Sequence, residues 1–252
     1  MADNDARQMR ARDYLVLRGE NGQKDPFVWE HSRRVAYTAL LLTRLPELRG
    51  QESEAAALEI AALFHDAGWV VQYRQGQWPR LALLSRPTSD LQRELAITVI
   101  EEVLSGEEPP GVIERAARIL RACNATAPSD PQAALLVEAD RLDEIGPLAF
   151  LRQWRRFVAS GQGICDLLKT WEQQQEYHFW EARLNEFRFE FTRDLARQRL
   201  AAVEPVIRAL ARHHQGDDVR QALAGLLSGL DGIPGAADLP VLLWTELASQ
   251  PL

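Results

Sequence analysis

The stretch ALEIAALFHDAG, residues 57–68, decides how this chain folds. Leu58, Ala61, Ala62 and His65 recur at helical steps, on a segment made apolar by Ile60, Ala61, Ala62, Leu63 and Phe64. The spacing predicts a helix opened by Ser53 as N-cap, with Glu54 in its first turn and Gly68 as its C-terminal cap. Such a helix belongs in a core, and His65 and Asp66 ride on it. A buried carboxylate is costly unless something compensates its charge, and a divalent cation would do so. Consecutive helical residues point in different directions, but at a helix end both can flank one point.

Working outward, helix follows helix. Residues 5–18 form a first helix, with Gly19, Gly22 and Pro26 marking the loop after it. Residues 27–45 place Val28, His31, Val35, Ala39 and Leu42 on one face, and Pro46 ends that run. Residues 69–88, with Trp69, Tyr73, Trp78, Pro79 and Pro87 among arginines 74, 80 and 86, read as a long irregular segment. Helices resume at 88–105 (capped by Thr88 or Ser89), 110–123, 131–145, 147–159, 164–180 and 181–213, with Gly216 closing the block. A short helix near 218–229, the Gly/Pro stretch Gly229–Gly235 and an apolar segment Val241–Leu247 follow. The expectation is an all-α bundle over 1–215 with a C-terminal helical extension over 216–252. The apolar end (Val241, Leu242, Leu243, Trp244) is either an arm on the core or a contact in a homodimer.

Composition bounds the partners. At 252 residues, 46% hydrophobic and 26% charged, the chain is of ordinary globular make-up. A net charge of −7 argues against a nucleic-acid coat. Lys24 and Lys169 are the only lysines, so 27 of the 29 basic residues are arginine; this skew is background composition. Cys123 and Cys165 have no zinc-type spacing and make no disulfide framework. The first twenty residues lack an apolar signal region, and no apolar run nears the ~20 residues that span a bilayer. A soluble, cytoplasmic protein without membrane or nucleic-acid partners is expected.

The ligand-type residues on helices are His31 in WEHSRRV, the His65–Asp66 pair, and Asp140 in VEADRLDEIG. Two imidazoles and two carboxylates carry −2 and would neutralise a dication. They suit Mn, Fe, Co, Ni or Zn better than Ca, which prefers an all-oxygen shell. Singly each element is weak; a lone His31 is more often a packed histidine, and the specificity lies in the combination.

That order, H…HD…D with ADRLDEIG around the last aspartate, resembles the HD-domain superfamily of metal-dependent phosphohydrolases. YHFWEARL at Tyr177–Leu184, and the alanine–arginine pattern of Ala196–Arg199, are similar to a bacterial subgroup, and the resemblance spans roughly residues 24–212. It implies one divalent cation (Mn, Fe, Co, Ni, Zn or Mg) on His31, His65, Asp66 and Asp140. The implied reaction is attack of a metal-bound water on a phosphate ester of a nucleotide or similar small molecule. Asp66 is the more central, catalytic ligand; Asp66 or Asp140 would orient the water.

Departures from the pattern narrow this. Trp69 stands where many members have lysine. Trp69-Val70-Val71 replaces the Glu-Asp pair of alarmone hydrolases. No histidine lies between His65 and His178, which disfavours a second, histidine-bound metal and the oxygenase chemistry that goes with it. Arg34, one helical step (i+3) from His31, is a candidate phosphate contact or a surface arginine. His178 either binds substrate or packs beside Phe179 and Trp180. No general acid stands out among Glu30, Glu59 and Glu94. The alternative class is an HD scaffold that binds metal and ligand without turnover.

Overall fold

The computed structural model describes residues 2–19, 21–48, 54–125 and 128–228, without side chains for 2–5, 227 and 228. The expected Ser53 cap and the apolar segment Val241–Leu247 lie outside the described residues. Among those described the fold is all-α, apart from one antiparallel pair, β1 (Leu17–Arg18) and β2 (Lys24–Asp25), with Leu17 opposite Asp25. No helix among them is long and apolar enough to cross a membrane.

The core forms around α3 (Ala55–Phe64), whose residues from Ala57 to Phe64 are all buried, Glu59 included. A helix apolar nearly all round must be covered on all sides. α1 (Ala2–Leu15), α2 (Phe27–Leu42), α5 (Asp90–Leu104), α6 (Pro110–Ala122) and α7 (Pro131–Asp143) supply that cover. Their termini follow local chemistry. Ser89 and Gln92 close a capping box at the start of α5. Asp130 accepts from the amides of Gln132 and Ala133 ahead of Pro131 at the start of α7.

The helix through residues 57–68 departs from expectation. α3 stops at Phe64, Glu54 is its N-cap without a side-chain bond, and a new helix, α4 (Ala67–Arg74), begins at once. Gly68 therefore caps nothing. A Cβ there would stand 2.1 Å from the carbonyl oxygen of Gln92, so the glycine is what lets α4 lie against α5. The first third of the expected irregular segment is thus helical, with Trp69 and Val70 in the core.

The second half continues as α8 (Pro147–Ala159), α9 (Ile164–Glu176), α10 (Phe179–Asn185), α11 (Glu190–Ala201), α12 (Glu204–Gln215) and α13 (Asp217–Ser228). The single helix expected over 181–213 is three. One break precedes Phe189 at the N-cap of α11, and another precedes Pro205, which sits in the first turn of α12 as proline favours. The left-handed His178 starts α10 and cuts short the helix expected to reach residue 180. These helices make two smaller cores, Leu142, Ile145, Phe187 and Ala196 in one, Leu168, Trp171, Val203 and Ile207 in the other. α8 to α10 stand beside the first core, and a cavity opens between them and the loop after α4.

Candidate metal centre

The junction of α3 and α4 solves the problem of two adjacent ligands. His65 keeps right-handed helical dihedrals (φ −53°, ψ −30°) while Asp66 leaves them (φ −109°, ψ 13°) as N-cap of α4. The chain turns between them, and both side chains meet at one place. His65 Nε2 is 3.2 Å from Asp66 Oδ2. His31 arrives from the middle of α2, its Nε2 3.2 Å from that of His65 and 3.3 Å from Asp66 Oδ2. Asp140 arrives from the last turn of α7, with Oδ1 3.3 Å and 3.6 Å from the two Nε2 atoms. All four residues expected as ligands come together.

The spacing fits a cation. For metal–ligand distances of about 2.0–2.2 Å, neighbouring ligand atoms stand about 3.0–3.5 Å apart. The tautomers also fit. His65 Nδ1–H donates to the carbonyl of Ala62 at 2.8 Å, and His31 Nδ1–H donates to Asp143 Oδ2 at 2.7 Å. Each neutral ring then turns an Nε2 lone pair inward, toward a second lone pair and two carboxylates. Four acceptors facing one another need protons or a metal between them. His31, His65 and Asp66 are at most 5% exposed, whereas Asp140 is 26% exposed, so the centre opens to solvent on the Asp140 side.

A second layer holds the ligands. Asp143 sits beneath His31 and is gripped bidentately by Arg34, Nε to Oδ1 at 2.7 Å and Nη2 to Oδ2 at 2.9 Å. Arg152 of α8 adds a bond to Asp143 Oδ2 at 2.5 Å and to the Asp143 carbonyl at 3.1 Å. On the other flank Trp69 Nε1–H donates to Thr88 Oγ1 at 3.1 Å, and Thr88 donates to Asp66 Oδ1 at 2.7 Å. Arg93 donates to the His65 carbonyl at 2.6 Å. Such partners fix ring orientation and ligand basicity. Asp143, Arg152, Thr88 and Arg93 are absent from the expected site. Asp143 had a usable signal, its i+3 spacing from Asp140; the other three reach the centre only through tertiary packing.

The remaining candidates fall elsewhere. Arg34 stands one layer out, committed to Asp143 on the side of an apolar groove lined by Tyr37, Leu41 and Leu148. His178 lies on the surface, 80% exposed and 3.5 Å from Glu181, and makes none of the contacts of the centre. Glu59 is bound to Arg7, Glu94 to Arg121, and neither meets the ligands.

Without a cation the site is held by protons. Burial opposes charge on both rings, and Arg152 adds to this at His31; the hydrogen bonds that His31 donates to Asp140, Asp143 and Asp66 outweigh both and push it up to about 10. Burial likewise opposes charge on His65, and the charges of Asp66 and Asp140 push it up to about 9. Burial would raise the carboxyls of Asp66 and Asp140, but the two imidazoles hold both well below the usual carboxylate range.

The sign follows. The raised histidines stabilise the metal-free fold fully below about pH 6.5, and that contribution is lost as pH climbs toward their folded values. The lowered aspartates contribute above about pH 3.9 and lose their contribution as pH falls. A metal needs both Nε2 atoms unprotonated, so binding near neutrality should expel about two protons per ion and tighten as pH rises. Calorimetry with Mn²⁺ in buffers of different ionisation enthalpy reads this number directly; no proton release at pH 7 would contradict the arrangement.

Residues 28–145 match the family model described as HD domain. Several solved structures share the fold. Bacillus subtilis YpgQ aligns at 18% identity over 84% of this chain and 95% of its own, with a TM-score of 0.54. YpgQ in complex with ADP aligns at 18% identity over 83% of this chain and 97% of its own, again with a TM-score of 0.54. The Lin1889 protein of Listeria innocua aligns at 17% identity over 84% and 97%, with a TM-score of 0.51. No curated protein matches the chain.

Proposed function

We propose, from the premise that this chain belongs to the HD-domain superfamily of metal-dependent hydrolases, that it hydrolyses a phosphate ester of a nucleotide or similar small molecule. The observation that carries the reading is the meeting of His31, His65, Asp66 and Asp140, in which each histidine Nε2 stands 3.2–3.6 Å from the other ring and from both carboxylates, with the histidine tautomers preset. Those four residues would hold one divalent cation of the Mn, Fe, Co, Ni, Zn or Mg type. Once bound, it supplies a water of lowered pKa and a Lewis-acid contact for a phosphoryl oxygen.

The residues divide the remaining work. Asp143 keeps the Nδ1 proton of His31 in place, and the Ala62 carbonyl does so for His65. Thr88 occupies Asp66 Oδ1 and leaves Oδ2 facing the centre, where it can orient water or accept its proton. Asp140 borders the open side, so substrate enters past it. A nucleotide is favoured because a neighbour of the same fold has been crystallised with ADP.

The test is phosphate release from a panel of nucleoside mono-, di- and triphosphates and sugar phosphates by protein loaded with Mn²⁺, Co²⁺ or Ni²⁺. Metal-dependent turnover of at least one nucleotide is expected. Nucleotide that binds the metal-loaded protein and stays intact would instead assign a binding scaffold.

A further inference from the structure

A cavity of about 350 Å³ lies beside the second layer of the centre, with Arg152 and Glu144 in its walls, and is within the range of small-ligand sites. Its link to the centre runs through two wall residues. Glu144 is one helical turn beyond Asp140, and Arg152 is 3.2 Å from His31 Nδ1. Its floor is aromatic: Phe150, Trp171 and Trp180 are among its walls, with the indole rings of the last two 5.6 Å apart. Flat apolar walls of this kind suit a planar ring.

Two features of the walls point to a ligand. Trp180 Nε1 and Gln174 Oε1 are buried, and neither has a hydrogen-bond partner. One is a donor and the other an acceptor, both belong to cavity-lining side chains, and native proteins rarely leave such atoms unmet. The second feature is backbone strain in the same walls. Leu84 lines the cavity with φ 59°, a left-handed shape that leucine seldom takes, and strain of this kind collects at ligand sites.

Arg152 supplies the charge. Asp143 is already satisfied by the two bonds from Arg34 and the one from His31, so it stays paired if Arg152 turns away. Arg152 is thus the cation of the second layer that also faces the cavity.

We infer that this cavity is the subsite for the nucleobase of a nucleoside phosphate. Trp180 and Gln174 offer a donor and an acceptor to the edge of the base, and Arg152, not Arg34, contacts the phosphate. The inference rests on the hydrolase reading for the presence of a phosphate, but its base-binding part can be tested apart from turnover.

The experiment measures binding of adenosine, AMP, GMP, UMP and ribose 5-phosphate to the full chain, without metal, by calorimetry. At least one nucleoside monophosphate is expected to bind about tenfold or more tightly than ribose 5-phosphate. Trp180→Phe keeps the ring and removes the donor; Gln174→Leu removes the acceptor. Each should cost the preferred nucleotide about tenfold, the effect of one buried partner left unmet, with ribose 5-phosphate unchanged. Arg152→Gln should weaken the nucleotide about tenfold and leave adenosine within twofold.

Ribose 5-phosphate binding as tightly as every nucleotide would overturn the subsite. So would both wall variants leaving nucleotide affinity within twofold while melting like the parent. Base-dependent binding with no hydrolysis under any metal would remove the hydrolase and keep the subsite; metal-dependent hydrolysis indifferent to the base would do the reverse.

Discussion

Replacing His65 with alanine is expected to empty the metal centre. His65 is fully buried, its Nε2 lies 3.2 Å from both His31 Nε2 and Asp66 Oδ2, and no neighbouring side chain is placed to stand in for it. Without it two carboxylates and one imidazole remain, and the rigid α3–α4 junction does not let them close the gap. Metal content by mass spectrometry should fall from about one equivalent to below about a tenth, and hydrolysis should fall about a thousandfold or more, since both the water's acidity and the Lewis-acid contact depend on the ion. Asp140→Ala should behave similarly in activity. It should retain more metal, because Asp140 is the ligand that solvent reaches and water can take its place. Folding is checked by thermal melts. The parent protein should gain about 2.7 kcal/mol from metal at one hundred times its dissociation constant, a gain the His65 variant should lack. A His65→Ala protein that still binds a full equivalent would sink the assignment of the centre.

The second large effect concerns stability. Gly68→Ala would put a methyl group 2.1 Å from the Gln92 carbonyl oxygen and 2.8 Å from its carbonyl carbon. These are backbone atoms of α5, so nothing yields by rotating a side chain. Either α4 moves off α5 or the overlap stays, at a cost of about 3 kcal/mol or more, which is about 6–12 °C in melting temperature for a domain of this size. Gly111, in the first turn of α6, has no neighbour within 4 Å of an added Cβ. Gly111→Ala should be neutral or stabilising by up to about 1 kcal/mol. Equal melting temperatures for the two variants would show that α4 is not clamped by its glycine. Because Asp66 is the N-cap of α4, Gly68→Ala should also lower metal affinity, an effect no ordinary surface glycine would have.

Much of this was legible in the sequence, and the failures have definite causes. The four residues that meet at the candidate centre were readable because histidine and aspartate on core helices are rare enough to stand out together. The helix boundaries at Pro131 and Pro147 were readable because proline is favoured in a helix's first turn, where its missing N–H costs nothing. Gly68 was misread because glycine has two uses, ending a helix and admitting a close neighbour, and only the position of Gln92 tells them apart. The run 69–88 looked irregular because aromatics, arginines and prolines are mixed in it, yet α4 survives on the burial of Ala67, Trp69 and Val70. Arg34 and Arg152 could not be ranked from sequence. Both are arginines near the centre, and what separates them is the bidentate grip on Asp143, a contact across 109 residues of chain.

The left-handed backbone at His178 changes what a sequence motif can mean. Its imidazole is exposed beside Glu181, while its backbone takes the left-handed shape. By reversing its φ, the chain makes a corner between α9 and α10 and brings Trp180 back over Trp171. Histidine is among the few non-glycine residues, with asparagine and aspartate, that adopt this shape with any frequency. At such a corner a histidine can serve through its backbone shape alone, and a sequence motif does not tell that use from a chemical one.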